Sequence, residues 1–231
     1  CRGDGRWLGN AFDVIVEAPS VAELTEGGHL VPTRIYAPTK PDLAGIRVER
    51  GDYVVRHLAE RVDTPKLVGD VVTHWLRLSE RRRTIVFACG VQHSIHLRDE
   101  FRRSGVMAEH IDGSTPVAER DAILAKLAAG TIDVVINAMV LTEGWDCREV
   151  SCLELARPTK SLGLYRQMAG RVLRPAPGKT DAIILDHAGA VFMHGLPDDP
   201  IKWTLEPDRR AENRMHASRS ARSGHGLTTC P

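Results

Sequence analysis

Short apolar runs alternate with amphipathic segments along the chain between residues 84 and 185. Five of these runs predict strands, at 84–88, 107–111, 133–137, 151–155 and 181–185, and the first of them, TIVFA, is rich in β-branched residues. Apolar residues recur at helical spacing between them and predict helices at 92–104, 116–129 and 161–173. This alternation is typical of a mainly parallel sheet with helices on both faces. We therefore predict an α/β, doubly wound domain over about residues 66–190.

The chain has a less regular pattern before this domain. The predicted elements there are strands at 13–17 and 30–37, and helices beginning at Ser20, at Asp52 and at Pro65, the last ending at about Ser79. Ser20 and Glu23 have the spacing of a capping box, which supports the first of these helices. We expect residues 1–50 to lie outside the main domain, which would then span 51–195 and be followed by a basic tail at 196–231.

Composition excludes several classes of protein. The chain is 42% hydrophobic and 26% charged, which is ordinary for a globular protein. Its 31 Lys and Arg against 30 Asp and Glu give a net charge of +1, so a nucleic-acid-binding surface would have to be local. No apolar run approaches the roughly 18 residues of a membrane span. Five scattered cysteines, an odd number, predict a reduced, cytoplasmic protein.

Polar loops follow the predicted strands. Ligands bind at the carboxyl ends of the strands in an open parallel sheet, and the loops there are rich in Gly, Ser, Thr and Asn. The loops lie at 89–94, 112–115, 141–146 and 157–161. Backbone N–H groups at helix starts suit phosphate oxygens, although ordinary helix caps explain any single loop equally well. Several such loops at one edge favour a track for a polyanion.

The segment 167–174, with the sequence QMAGRVLR, carries the strongest local signal. Four polar or small residues fall at i, i+3, i+4 and i+7 and would share one helix face: Gln167, Gly170, Arg171 and Arg174. The other side is apolar, with Met168, Val172 and Leu173. A glycine inside a helix costs about 1 kcal/mol, which close approach of another group would justify. Two guanidiniums and an amide suit phosphate oxygens, but a solvated basic face explains the stripe as well.

The combination of motifs resembles superfamily 2 helicases. Thr142-Glu143-Gly144-Trp145-Asp146 followed by Gln-x-x-Gly-Arg-x-x-Arg is similar to motifs V and VI of that family. The run TIVFACGVQHS resembles motif IV, and Asp112-Gly-Ser-Thr-Pro resembles the next conserved block. The resemblance covers about residues 66–190, as the second RecA-like domain, and is strongest to the RadD-like branch and to the helicase part of type III restriction enzymes.

The resemblance also indicates a fragment of a longer protein. Residues 1–6 are similar to the end of the first RecA-like domain, so 1–50 would be its remnant and a linker, and Cys230 would begin a zinc-binding tail. The chain contains neither G-x-x-x-x-G-K-[ST] nor Asp-Glu-x-[His/Asp], the phosphate loop and metal-holding carboxylates of the family. We therefore expect no ATP hydrolysis by this chain alone.

The family's mechanism implies roles for individual residues. ATP would lie between two RecA-like domains, with Mg²⁺ held mainly by the first. Arg174 would be the arginine finger, Arg171 would hold the phosphates or the domain interface, and Gln167 would contact the γ-phosphate or orient the attacking water. Asp146 would accept a hydrogen bond from the ribose, and Gly144 would leave room for the nucleotide. No resident metal site is expected in this chain.

Nucleic acid would cross the loops at the top of the domain, contacted through its phosphates and so independently of sequence. The candidate contacts are Gly90, Gln92, Ser94, Gly113, Ser114, Asn137 and Thr142. The branch implies DNA and a cytoplasmic, nucleoid-associated protein of a bacterium or phage. One alternative is a RecA-like nucleic-acid-binding module without ATPase activity. Another, an unrelated α/β nucleotide-binding enzyme, is disfavoured because no G-x-G-x-x-G follows the first strand.

Overall fold

The computed structural model describes residues 11–49, 51–142, 145–203 and 205. The strands are β1 (Thr33–Tyr36), β2 (Val48–Glu49), β3 (Asp52–Tyr53), β4 (Thr84–Phe87), β5 (Ala108–Ile111), β6 (Val134–Asn137), β7 (Cys152–Leu155) and β8 (Ala182–Asp186). The helices are α1 (Val21–Glu26), α2 (Val55–Val62), α3 (Pro65–Leu78), α4 (Val91–Arg103), α5 (Val117–Ala129), α6 (Leu162–Gly170) and α7 (Ala190–His194).

Six strands form one parallel sheet in the spatial order β1-β8-β7-β4-β6-β5. Every residue of β4, β6, β7 and β8 is buried, as expected for strands covered on both faces. In β4, Ile85 and Phe87 pack with α5 and α6, whereas Val86 packs with α3 and α4. The predicted α/β doubly wound fold is confirmed, because alternate residues of one strand supply two separate hydrophobic layers.

The N-terminal region differs from the sequence-based expectation. The strand predicted at 13–17 is wrong, since these residues are exposed and form no regular element. The strand predicted at 30–37 exists as β1, and it pairs in parallel with β8, with Thr33 opposite Ala182. The sheet therefore extends beyond the five strands predicted for the main domain and includes a strand from residues 1–50.

A small hairpin and a helix lie over the carboxyl end of the sheet. Strands β2 and β3 pair antiparallel, and α2 follows them directly. Tyr53, Leu58 and Val62 pack together against Cys89, which comes just after β4. We call β2, β3 and α2 together the cover segment. The expected helix start at Asp52 is wrong, because Asp52 belongs to β3 and α2 begins at Val55.

In the part of the chain that the structure describes, no helix is both long enough and apolar enough to cross a membrane.

Candidate functional site at the carboxyl edge of the sheet

The loop after β6 is positioned by a buried asparagine. The Asn137 side chain is fully buried at the end of the strand. Its Nδ2 donates to the Val86 carbonyl at 2.8 Å, and its Oδ1 accepts from the Leu141 amide at 3.3 Å. The amide group is thus used on both sides within the protein. The expectation that Asn137 contacts nucleic acid is therefore wrong for this geometry, and the residue instead fixes the loop that follows.

Helix α6 is shorter than predicted and ends at Gly170. Arg171 is its C-cap residue, and Arg174 lies beyond the helix, so the expected stripe of four residues on one helix face does not exist. Open space surrounds the position of a Cβ on Gly170, so nothing in the described chain approaches it closely. Val172 and Leu173 are buried as predicted, although they lie beyond the end of the helix.

Arg171 joins the end of α6 to the loop after β6. Its Nη1 donates to the Trp145 carbonyl at 2.5 Å, and its Nη2 donates to the Thr142 carbonyl. Thr142 also donates from its hydroxyl to the Met139 carbonyl at 3.0 Å. One guanidinium therefore holds the loop on both sides of residues 143–144. These two residues, which include the expected nucleotide contact Gly144, lie outside the described residues.

Asp146 and Arg174, from the two separate motifs, form an ion pair. Arg174 Nη1 lies 2.5 Å from Asp146 Oδ1, and the two side chains are 39% and 50% exposed. The hydrogen bond from Arg174 lowers the pKa of the Asp146 carboxyl. Arg148 lies farther from the same carboxylate, at 3.8 Å. The structure thus brings the expected arginine finger and the expected ribose acceptor together at an accessible edge.

Gln167 is exposed on α6, and its side chain makes no hydrogen bond to any described residue. An exposed amide can reach an added ligand without breaking an existing contact. The expectation for Gln167 stays a prediction.

The loop after β4 presents two of its three predicted contacts. Gly90 is the half-buried N-cap of α4, and Gln92 is exposed with its Nε2 2.9 Å from His96 Nε2. Ser94 is fully buried, with its Oγ 2.6 Å from His110 Nδ1. The expectation that Ser94 contacts nucleic acid is therefore wrong. A hydroxyl without access to solvent reaches neither a phosphate nor a substrate.

The loop after β5 is a tight turn around Asp112. Its Oδ1 accepts from the Ser114 amide at 2.7 Å and from the Ser114 hydroxyl at 2.6 Å. These bonds, the hydroxyl bond first, lower the pKa of Asp112 to about 2. Gly113 and Ser114 are exposed at the edge of the sheet, although the amide and the hydroxyl of Ser114 already donate to Asp112. His110 joins this turn to Ser94, because its Nε2 lies 3.1 Å from Asp112 Oδ2.

The loop after β7 contains an arrangement that the candidate residues omitted. Asp52 Oδ2 accepts from the Thr159 hydroxyl at 2.9 Å and lies 3.3 Å from Arg157 Nη2. Asp52 Oδ1 accepts from the Lys160 amide at 2.7 Å. The loop itself was visible in the sequence as a polar segment after a strand. Its partner was not, because Asp52 lies 105 residues earlier than Arg157 in the chain.

Metal ligands do not converge within the part of the chain that is described. No group of three or more His, Cys, Asp or Glu side chains there could hold a metal ion. Cys89, Cys147 and Cys152 are buried free thiols, and Cys230 lies outside the described residues.

Comparison with known proteins identifies the central part of the chain. Residues 66–176 match the family described as the helicase conserved C-terminal domain. A 51.5 kDa protein of a Lactococcus phage is 32% identical over 87% of this chain and 44% of its own length. The protein irc3 of Schizosaccharomyces pombe, whose name describes a mitochondrial ATP-dependent helicase, is 32% identical over 95% of this chain and 36% of its own length. The chain thus spans less than half of these relatives.

A solved structure shows the same fold. The fragment structure of an HsdR subunit of a type I restriction enzyme from Vibrio vulnificus superimposes with a TM-score of 0.64, at 19% identity. The alignment covers 84% of this chain and 39% of that one. At this level of identity the likeness supports the RecA-like architecture.

Proposed function

We propose, from the premise that residues 66–176 are a superfamily 2 helicase C-terminal domain with a RecA-like fold, that this chain is the C-terminal motor half of an ATP-dependent DNA helicase or translocase. The observation that carries the proposal is the joining of two motifs. Arg171 holds the loop after β6, and Arg174 pairs with Asp146 from the same loop. The first contact fixes the loop, and the second places the Arg174 guanidinium at an accessible edge, as phosphate chemistry requires.

Three residues would contact ATP. Arg174 would stabilise negative charge that develops on the terminal phosphoryl oxygens, and Gln167, which is exposed on α6, would orient the attacking water. Asp146 would accept a hydrogen bond from the ribose. Arg171 takes a different role from the one expected, because its guanidinium donates to two backbone carbonyls. It would keep the loop in register with α6 rather than bind phosphate.

The Asp146–Arg174 pair has a consequence for the nucleotide-bound state. The ribose and the terminal phosphate lie at opposite ends of ATP, whereas the two side chains touch at 2.5 Å. At least one of them must therefore change partner when ATP binds. The exposure of both side chains, 39% and 50%, allows that change without repacking the core. The pair would hold Arg174 in an ordered position until a phosphate replaces the carboxylate.

The rest of the ATPase site would come from elsewhere in a longer protein. This chain has no phosphate-loop motif, and its described residues contain no cluster of metal ligands. A preceding RecA-like domain would hold Mg²⁺ and most of the nucleotide. The shares of 44% and 36% that the chain spans of two relatives leave room for such a domain.

DNA would cross the loops after β4, β5 and β6. The accessible residues among the expected contacts are Gly90, Gln92, Gly113, Ser114 and Thr142. These are backbone amides, a hydroxyl and an amide, which bind phosphates without reading bases. Buried Ser94 and Asn137 would support this surface from below.

The alternative function is a nucleic-acid-binding RecA-like module without ATPase activity. It would use the same loops and would not need the Asp146–Arg174 pair. The coding sequence before Cys1 distinguishes the two. A phosphate loop followed by an Asp-Glu-x-His strand supports the motor, whereas a start codon at that place supports the module.

Replacing Arg174 with alanine tests the proposal directly. In the full-length protein, Arg174→Ala should lower DNA-stimulated ATP hydrolysis by about 10³-fold or more, because an arginine finger acts mainly in the transition state. DNA affinity should change little, since Arg174 lies outside the proposed DNA contacts. Steady-state ATPase assays with single-stranded DNA and an anisotropy titration measure the two effects.

Arg148→Ala is the matched control. Arg148 approaches the same Asp146 carboxylate, at 3.8 Å, and is 65% exposed. Its removal should leave hydrolysis within about twofold of the wild type, as expected for an exposed ion pair. Equal activity of the Arg174→Ala and wild-type proteins would refute the arginine-finger assignment.

A further inference from the structure

The loop between β7 and α6 surrounds a carboxylate with donors. Asp52 of the cover segment accepts from the Thr159 hydroxyl at 2.9 Å, from the Lys160 amide at 2.7 Å and from Arg157 Nη2 at 3.3 Å. A hydroxyl, a backbone N–H just before the N-cap of a helix and a guanidinium are also donors that proteins use for phosphate. We call Arg157, Thr159 and the Lys160 amide the anion cradle.

The guanidinium of the cradle has unused capacity. The Arg157 side chain is only 6% exposed, and its Nε and Nη1 have no hydrogen-bond partner among the described residues. A buried guanidinium with unpaired N–H groups is unfavourable, because it has lost its water without full replacement. Asp52 satisfies a single nitrogen, at the long distance of 3.3 Å. The two unpaired nitrogens of Arg157 are a second, independent indication that the loop suits a larger anion than one carboxylate.

A phosphate group would fit the donors better than the carboxylate does. A carboxylate offers two oxygens, and both Asp52 oxygens already accept from the loop. A phosphate offers a third oxygen and more negative charge, and once Asp52 is withdrawn the guanidinium could bind it in bidentate fashion through Nη2 and one of the two nitrogens that now lack a partner. The start of α6, a helix of nine residues capped by Ser161, adds the favourable end of a helix dipole.

We propose that the anion cradle is a phosphate-binding site and that Asp52 is its internal occupant, which the cover segment withdraws when a phosphate group binds. The cover segment is well placed for such a change. Its hairpin is made of two strands of two residues each, and the segment is held by one small apolar cluster, with Tyr53, Leu58 and Val62 against Cys89, together with the polar contacts of Asp52. Binding and withdrawal would be coupled, because one site cannot hold both anions.

The cover segment also reaches the proposed DNA surface. Val55, which begins α2, is the side chain nearest to a Cβ placed on Gly90, at 3.7 Å. Asp63, which caps α2, lies 2.9 Å from His96, and His96 contacts Gln92. Withdrawal of the segment would therefore change access to two proposed DNA contacts. The cradle itself does not depend on the motor assignment, because inorganic phosphate suffices to test it.

The first test compares two isosteric variants of the 231-residue chain. Asp52→Asn removes the charge that occupies the cradle, so inorganic phosphate should bind at least about tenfold more tightly than to the wild type, as measured by calorimetric titration. Asp63→Asn removes an equal charge at the C-cap of α2, which lies outside the cradle. It should leave phosphate affinity near the wild-type value. Equal gains in both variants would mean general electrostatics and would overturn the proposal.

A second substitution separates the site from a fold effect. Adding Thr159→Val to Asp52→Asn removes a cradle donor at constant shape and should reverse most of the gain. If Asp52→Asn fails to fold, Thr159→Val alone and the wild type are compared by hydrogen exchange with added phosphate. Phosphate should then accelerate exchange in α2 of the wild type but much less in the variant. Exchange that phosphate leaves unchanged in both proteins would overturn the proposal.

A single-stranded oligothymidylate in a parallel titration identifies the source of the phosphate. A gain in the Asp52→Asn chain with both probes indicates a cradle that accepts backbone phosphates. A gain with inorganic phosphate alone indicates free or terminal phosphate. No gain with either probe in a folded Asp52→Asn chain would show that Asp52 is only a structural cap.

Discussion

Asn137 illustrates how burial changes the interpretation of a single residue. Its position after a strand, before a polar loop, is what a phosphate contact would have. The structure instead shows both ends of its amide bonded inside the protein, to Val86 and Leu141. The side chain therefore supports the loop that carries Thr142 and, through it, the contact with Arg171.

Replacement of Asn137 by alanine should destabilise the chain. Asn137→Ala leaves a buried amide and a buried carbonyl without their partner, which costs about 2 kcal/mol or more in the free energy of unfolding. Gln92→Ala, at an exposed position, should stay within about 0.5 kcal/mol of the wild type. Urea denaturation followed by circular dichroism measures both. An Asn137→Ala chain of unchanged stability but reduced DNA affinity would restore the direct-contact role.

Helix α6 shows what happens at the scale of an element. The residue pattern predicts a helix to 173, but the helix ends at Gly170, and Val172 and Leu173 enter the core from the segment that follows it. The expected stripe of polar residues is thereby divided. Gln167 stays on the helix, Arg171 caps it, and Arg174 reaches the loop after β6. The place where α6 ends in the tertiary structure therefore decides where the guanidiniums of Arg171 and Arg174 lie.

Gly170 provides a test of that helix end. The residue is helical, with open space at its Cβ position, so Gly170→Ala should stabilise the chain by about 0.5–1 kcal/mol through the unfolded state. Gly130→Ala is the contrasting control. Gly130 has a φ of +76°, and its added Cβ would lie 3.0 Å from Arg83 Nη2, so a loss of about 1 kcal/mol is expected. Thermal melts of both variants measure the difference.

A destabilised Gly170→Ala chain would contradict this assignment. A stabilised chain whose full-length form loses ATPase activity would instead show that another part of the motor approaches Gly170 closely. Such an approach would explain why a glycine stands at this position.

At the scale of the whole molecule, ion pairs attach the edge strand β1 to the rest of the sheet. Arg34 of β1 lies 2.5 Å from Asp181, which precedes β8, and 2.6 Å from Glu80. Arg82, before β4, contacts the same two carboxylates at 2.5 and 2.7 Å. The four side chains alternate in charge around a closed ring. They connect β1 to the segments that lead into β4 and into β8.

The ring predicts a pH dependence of stability. Its hydrogen bonds, from Arg34 first and then Arg82, lower the pKa of Glu80 to about 2 from its usual 4.5. A carboxyl with a lowered pKa in the folded state stabilises that state above its unfolded pKa. The contribution is lost as pH falls toward 2. The difference in unfolding free energy between the wild type and Glu80→Gln should therefore be present at about pH 6 and should shrink toward about pH 3.

The control for this dependence is Glu60→Gln, whose carboxylate is 63% exposed and 3.7 Å from Arg56. It should give little difference from the wild type at either pH, because exposed pairs contribute little. Urea denaturation across the pH range measures both variants. A difference for Glu80→Gln that is independent of pH would exclude the charged ring as its cause.

The sequence by itself determined the class of fold and the identity of the motifs. Each of the five runs predicted between residues 84 and 185 contains a strand, and the four fully buried strands β4, β6, β7 and β8 are nearly continuous apolar runs, as burial on both faces demands. Local signals also located α1, whose capping box is present, and the helices that cover the sheet. These features depend on residues that are close in the sequence, so the spacing of apolar and capping residues predicts them.

Only the tertiary structure decided which polar residues are accessible and what they touch. Ser94 and Gly90 are four residues apart in one loop and helix start, yet the first is buried and the second is not. The partnership of Asp52 with Arg157 and that of Asp146 with Arg174 join segments far apart in the chain. Hydrogen bonds and ion pairs carry no periodic signature, so sequence patterns predict the loops while packing selects their contacts.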